Sequence, residues 1–214
     1  MNTVESKAML ASVPAAGAVG TGAYFGLIRP SNSQETVKSK LEKAIKGKPR
    51  RLLAPTSHDI WEKYKALYKK ESDDSKKISG VDENALLSWC ESTLKKPYSE
   101  QEKEIYDQAF KWCVVNTNTL KQELESEKNL SFITFGDGDG SKWQKAWTKY
   151  NADKQGLEIT DTSLSSSAIS SADAGGPKLK DWCKAKLDKH MYEDLGEDKT
   201  IEKVTKYCVA SRGE

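Results

Sequence analysis

At 214 residues the chain has room for one medium domain or two small ones. Its side chains are 36% apolar and 31% charged, a lean balance for a folded protein, but six tryptophans and eight tyrosines exclude general disorder. The net charge of +2 conceals a basic stretch: residues 29 to 51 hold eight lysines and arginines against Glu35 and Glu42, whereas residues 52 to 214 hold 25 basic and 29 acidic side chains, a body without the basic character of a nucleic-acid-binding domain.

The first element is apolar. Met9 to Ile28 runs for twenty residues without a charge, the length that crosses a bilayer core as a helix. Three readings compete. An uncleaved membrane anchor is preferred, making the membrane a partner through residues 9–28. A signal peptide with small-residue cleavage sites after Ala18 or Ala23 is the second, and a soluble buried helix the third. Ala18, Gly22 and Gly26 recur every four residues, a spacing that permits close helix packing but also follows from composition alone. The basic cluster after the run favours keeping the body on the cytoplasmic side.

Beyond Ser33 the chain reads twice. Thr36-Val37-Lys38-Ser39-Lys40-Leu41-Glu42 matches Thr119-Leu120-Lys121-Gln122-Glu123-Leu124-Glu125, each placing apolar residues on one face of a short helix. Leu52-Leu53 and Ser131 to Phe135 follow, with room for one short β-strand in each copy. Next comes a tryptophan helix. In the first copy Ile60, Tyr64, Leu67 and Tyr68 form an apolar stripe, with Ser57 and Asp59 as candidate caps. The motif W-x-K-Y aligns Trp61 and Tyr64 with Trp147 and Tyr150. Polar loops are expected at Ser72 to Gly80 and at the longer, Ser-rich Thr160 to Pro177.

A Cys-bearing helical hairpin closes each copy. Leu86-Leu87-Ser88-Trp89-Cys90 returns as Leu179-Lys180-Asp181-Trp182-Cys183, with Tyr98 and Tyr192 downstream. Lys111-Trp112-Cys113-Val114 returns as Lys206-Tyr207-Cys208-Val209. Ser99 and Glu102 have the spacing of a capping box before the last helix of the first copy. The expected fold is mainly α: a tandem duplication of a small helical unit behind an N-terminal apolar helix, divided as 1–30, 31–115 and 116–214. The repeat core is expected at Trp61, Tyr64, Trp89, Trp112, Trp147, Tyr150, Trp182 and Tyr207. The growing offset between copies places insertions in loops.

The four cysteines admit two readings. Each lies on the apolar stripe of its helix, so Cys90–Cys113 and Cys183–Cys208 are candidate disulfides, each stabilising a lean core by roughly 3 kcal/mol and implying an oxidising exterior. They also suit paired buried thiols acting as small apolar side chains. No metal site is expected: there is no CxxC, and His58 and His190 match nothing between copies. The acidic glycine loop Gly136 to Ser141 lacks a bidentate Glu at the twelfth loop position, where Thr148 stands, and reads as a turn. Phosphate-loop and nucleophile-elbow patterns are absent, so neither catalysis nor a cofactor is expected.

The combination of a Gly/Ala-rich apolar N-terminus with T-V-K-x-x-L, W-x-x-Y, L-x-x-W-C and a closing W-C or Y-C, twice over, resembles the paralogous families of uncharacterised proteins of haemotrophic mycoplasmas. The resemblance covers nearly the whole chain, and the recurring W-C is its most specific part. It implies a multi-copy product exported to or displayed at the surface of a wall-less parasite, involved in antigenic variation or host contact. The functional expectation is therefore a non-catalytic, membrane-associated surface interaction or antigen protein with an extracellular body and a host or self protein as partner. The alternative is a cytoplasmic-side adaptor using residues 29–51 on anionic lipid or nucleic acid.

Overall fold

The computed structural model describes residues 35–154, 156–165, 169 and 171–214. The expected N-terminal apolar helix, with the anchor or signal segment 1–30, lies outside the described residues.

The N-terminal half begins with α1 (Val37–Ile45), which buries Val37, Leu41 and Ile45 on one stripe. Thr36 caps it: its Oγ1 accepts from the Ser39 N–H while Ser39 Oγ accepts from the Thr36 N–H, satisfying two amides at the helix start. Gly47, at φ 74°, turns the chain in a conformation that side-chain-bearing residues resist. Then follow β1 (Arg50–Leu52), α2 (His58–Lys70), α3 (Leu86–Thr93), α4 (Lys103–Trp112) and β2 (Val114–Asn116). β1 and β2 pair antiparallel, with Arg50 opposite Asn116 and Leu52 opposite Val114.

The C-terminal half holds α5 (Leu120–Lys128), α6 (Gly140–Ala152), α7 (Thr162–Ser165), α8 (Ala172–Leu187) and α9 (Thr200–Tyr207). Thr119 and Gln122 form the second capping box, and α5 ends at Asn129, which takes the left-handed conformation that asparagine tolerates. Among the described residues no helix is long and apolar enough to cross a membrane.

Each half closes its own core. One cluster runs from Val37 to Val115 and the other from Leu120 to Cys208. The mainly helical expectation matches, and three local expectations are corrected. The strand of the N-terminal half pairs with the residues just after Cys113, whereas in the C-terminal half the contact is a lone bridge between Phe132 and Val209, so among the described residues both strands lie in the N-terminal half. The Ser99–Glu102 capping box does not form. Ser99 Oγ instead engages the side chain and the N–H of Gln101, and residues Glu100–Glu102 make a 3₁₀ turn.

The third correction concerns Thr160 to Pro177. Its last part is helical, because α8 starts at Ala172 behind the cap Ser171 and carries Gly175, Gly176 and Pro177 inside it. Packing overrides propensity there. A Cβ on Gly175 would lie 2.0 Å from the Trp147 ring, and one on Gly176 would lie 2.9 Å from the Gln144 backbone nitrogen. Only glycine lets α8 approach α6 this closely, and the contact offsets the poor helix propensity of the Gly-Gly-Pro run.

Candidate functional site

The chemistry-bearing residues singled out in the sequence converge on two disulfide–aromatic clusters, one at the centre of each half. Cys90 and Cys113 pair with an S–S distance of 2.04 Å, Cys183 and Cys208 with 2.02 Å, and no cysteine is free. All four are buried. The disulfide reading thus describes the molecule and the buried-thiol reading does not.

Around each disulfide the polar tips of the aromatic residues find backbone partners. Trp61 Nε1 donates to the Ala54 carbonyl at 2.9 Å, and Trp143 Nε1 donates to the Thr134 carbonyl at 3.0 Å. Tyr68 Oη accepts from the Ile78 N–H at 2.9 Å, and Tyr150 Oη from the Ile159 N–H at 3.1 Å. Tyr68 meets Trp112 edge-on with ring centres 4.7 Å apart, and Tyr150 meets Tyr207 edge-on at 4.8 Å. The Leu53 N–H donates to the Cys113 carbonyl and the Ile133 N–H to the Cys208 carbonyl. Burial raises the Tyr64 and Tyr150 hydroxyls and pushes Tyr207 up to about 12, so these phenols stay neutral, Tyr64 donating to the Val114 carbonyl and Tyr207 to the Lys154 carbonyl.

These contacts correct the alignment of the tryptophan helices. Trp61 occupies the place of Trp143, and Tyr68 that of Tyr150, so the W-x-K-Y identity is displaced by four residues. A slip of about one helical turn preserves the buried face, which is why local identity misled. Trp147 then corresponds to Lys65 and has no aromatic counterpart. Likewise Tyr98 corresponds to Met191, not Tyr192: the Tyr98 N–H donates to the Glu35 carbonyl and the Met191 N–H to the Asn118 carbonyl.

Of the expected core residues, Trp61, Tyr64, Trp112, Trp147, Tyr150, Trp182 and Tyr207 are buried. Trp89 is the exception, half-buried at the rim of its cluster. Trp143 is buried at 1% exposure and belongs with them. Its position one turn before the better-looking motif hid its role.

The C-terminal half also contains a buried ionic group. Glu197 contacts Lys203 at 2.5 Å, and their side chains are only 9% and 5% exposed. Glu197 also accepts from Trp182 Nε1 at 2.9 Å and from the Thr160 N–H at 3.0 Å, with Lys186 Nζ 4.0 Å away. Burial alone would raise the Glu197 carboxyl, but these donors, Lys203 foremost, hold it below its usual value. Burial lowers Lys186. Sequence reasoning missed the group because its members lie on a loop, on α8 and on α9, with no shared spacing.

Other candidates resolve as structure. Asp139, in the acidic glycine loop, accepts from Thr134 Oγ1 and Lys142 Nζ, and the 3₁₀ turn Asp137–Asp139 leads into α6. His58 sits exposed at the start of α2, and His190 Nδ1 lies 3.1 Å from the Thr117 carbonyl. Among the described residues no group of three or more His, Cys, Asp or Glu is placed to hold a metal ion. A cleft of about 610 Å³ lies between the Gly47–Arg50 turn and α5, lined by both charges, including Lys48, Arg50 and Glu125.

What the fold and these clusters define is a mainly helical protein with one disulfide at the centre of each of two cores. No protein-family model, curated protein or solved structure matches the chain.

Proposed function

We propose that this protein is a non-catalytic interaction module displayed outside the cytoplasm, built by tandem duplication of one disulfide-stapled helical unit and tethered to the membrane through residues 9–28. The pairing of every cysteine carries the reading: two local disulfides, each sealed in its own core, are chemistry that persists in an oxidising compartment. The matched contacts around Cys90–Cys113 and Cys183–Cys208 support duplication, since the same backbone partners recur although Trp112 is replaced by Tyr207. Its partner is a host or self protein, in keeping with the resemblance to the paralogous families of uncharacterised proteins of haemotrophic mycoplasmas.

The adaptor reading draws less support. Within the basic stretch, Lys38, Lys40, Lys43 and Arg50 are each ion-paired with Glu42, Glu100, Glu35 and Glu123, which leaves less charge for a phosphate-bearing surface. Lys46, Lys48 and Arg51 remain exposed.

The deciding experiment is thiol labelling and protease shaving of intact cells, followed by peptide mapping with and without reductant. Linked Cys90–Cys113 and Cys183–Cys208 peptides from a protease-sensitive body are expected. Four alkylatable thiols in a body protected from external protease would overturn the reading.

A further inference from the structure

The ion pairs across the junction of the two halves share one polarity. Lys63 on α2 meets Glu193 at 2.6 Å, Lys70 on α2 meets Asp194 at 3.1 Å, and Arg50 on β1 meets Glu123 on α5 at 2.7 Å. In all three pairs the N-terminal half supplies the cation and the C-terminal half the carboxylate. Apolar contact across the junction comes from Tyr192, which packs on the first core with Lys63 Nζ 5.3 Å above its ring and His190 stacked beside it. The covalent link is short. Only Thr117 and Asn118 separate β2 from the cap of α5, and Thr117 is held from both sides, its N–H by the Pro49 carbonyl and its own carbonyl by His190.

The two cores are joined by a two-residue link, by Tyr192 and by ion pairs of one polarity, of which Lys63–Glu193 and Lys70–Asp194 are partly exposed while Arg50–Glu123, beside the link, is largely buried. Exposed pairs are screened by salt, whereas the apolar cores on either side are not. We propose that residues Tyr192–Asp194 form a salt-released clasp that holds the two halves together about a hinge at Thr117–Asn118. Closed, the clasp fixes the relative orientation of the two surfaces. Released, it lets each half engage a partner separately, and the partner that releases it carries charge able to replace Glu193 and Asp194 on α2, an acidic protein surface.

The test is a distance measurement on the full chain in detergent, with spin labels introduced as noncanonical residues at the exposed positions Lys46 and Lys178 so that the native disulfides stay intact. Low salt is expected to give one narrow distance. Raising salt to about 1 M, where the screening length falls to about 3 Å, is expected to broaden and lengthen it. Lys63→Glu with Lys70→Glu is expected to give the broad distribution already at low salt, and Lys63→Glu with Glu193→Lys to restore the narrow one. Circular dichroism and the absence of free thiols establish that each variant is folded. If a charge variant does not fold, the salt series on the labelled chain without those substitutions still decides the matter. A narrow distance unchanged between low and high salt would overturn the proposal, as would a Lys63→Glu, Lys70→Glu chain whose distance stays narrow at low salt.

Discussion

The same L-x-x-W-C motif sits at different depths in the two halves. In the N-terminal half α3 starts at Leu86, and Trp89 lies half-buried at the rim. In the C-terminal half the corresponding helix starts two turns earlier, at Ala172, and Trp182 is buried with its indole N–H bonded to Glu197. The two extra turns of α8 cover Trp147 through Gly175, with Gly176 against the Gln144 backbone, where α2 has the partly exposed Lys65, paired with Glu62. One disulfide–aromatic framework therefore supports two finishes: a solvated helix face in the first half, and a covered face with a buried ionic pin in the second. The added tryptophan is not fully accommodated, since Trp147 Nε1 is buried without a hydrogen-bond partner.

Breaking the pin tests this difference most severely. Glu197→Ala leaves Lys203 buried without its carboxylate and is expected to cost about 3–5 kcal/mol, read as a fall in the denaturation midpoint of the full chain. A loss within the range of ordinary surface substitutions would show that the pin is not a buried pair.

The tryptophan comparison follows. Trp182→Ala removes a buried, hydrogen-bonded ring and is expected to cost about 3–5 kcal/mol. Trp89→Ala in the identical motif is expected to cost less by at least about 1 kcal/mol, because its ring is already partly hydrated. Equal losses in chemical denaturation would erase the distinction between the halves.

Next is Gly175→Ala. Its methyl group would overlap the Trp147 ring, and overpacking of this kind costs about 1–3 kcal/mol. Lys65→Ala, at the matching place on α2, is expected to change stability by no more than about 0.5 kcal/mol. Calorimetry of the two variants sharpens the contrast between the covered and the solvated face.

The smallest effect is that of pH on the junction. The Lys63 ammonium chiefly, with the His190 N–H, holds the Glu193 carboxyl below its usual value, and the Gly196 N–H chiefly, with Lys70, does the same for Asp194. A carboxyl depressed in the folded state contributes stability that is complete above its unfolded value and is lost as pH falls through the folded one. The contribution is therefore expected to be intact above about pH 5 and to fade below about pH 4. Acid titration of Lys63→Ala with Lys70→Ala is expected to show a shallower loss than the unmodified chain. Parallel curves would remove the ion pairs from the account.

Much of this was legible in the residue pattern. Apolar residues four apart after Thr36 and Thr119 marked α1 and α5, since a buried face is a local property of the chain, whereas the caps at these threonines were not foreseen and the one expected at Ser57 does not form. The W-C and Y-C recurrences marked the cysteine pairs, because cysteines on the apolar stripes of neighbouring helices meet in the same core. What the pattern misread was alignment by a turn: W-x-K-Y placed Trp147 where Trp143 belongs, as a helix looks nearly the same after four residues. The depth of Trp89 against Trp182, the helical fate of Ala172 to Pro177 and the Glu197–Lys203 pin were settled only in three dimensions. Each depends on what a distant segment brings to the site: Trp147 to Gly175, Thr160 and Lys203 to Glu197. Periodicity and capping report what a segment does with its own backbone and one face. Close approach and charge burial depend on partners that sequence spacing does not encode.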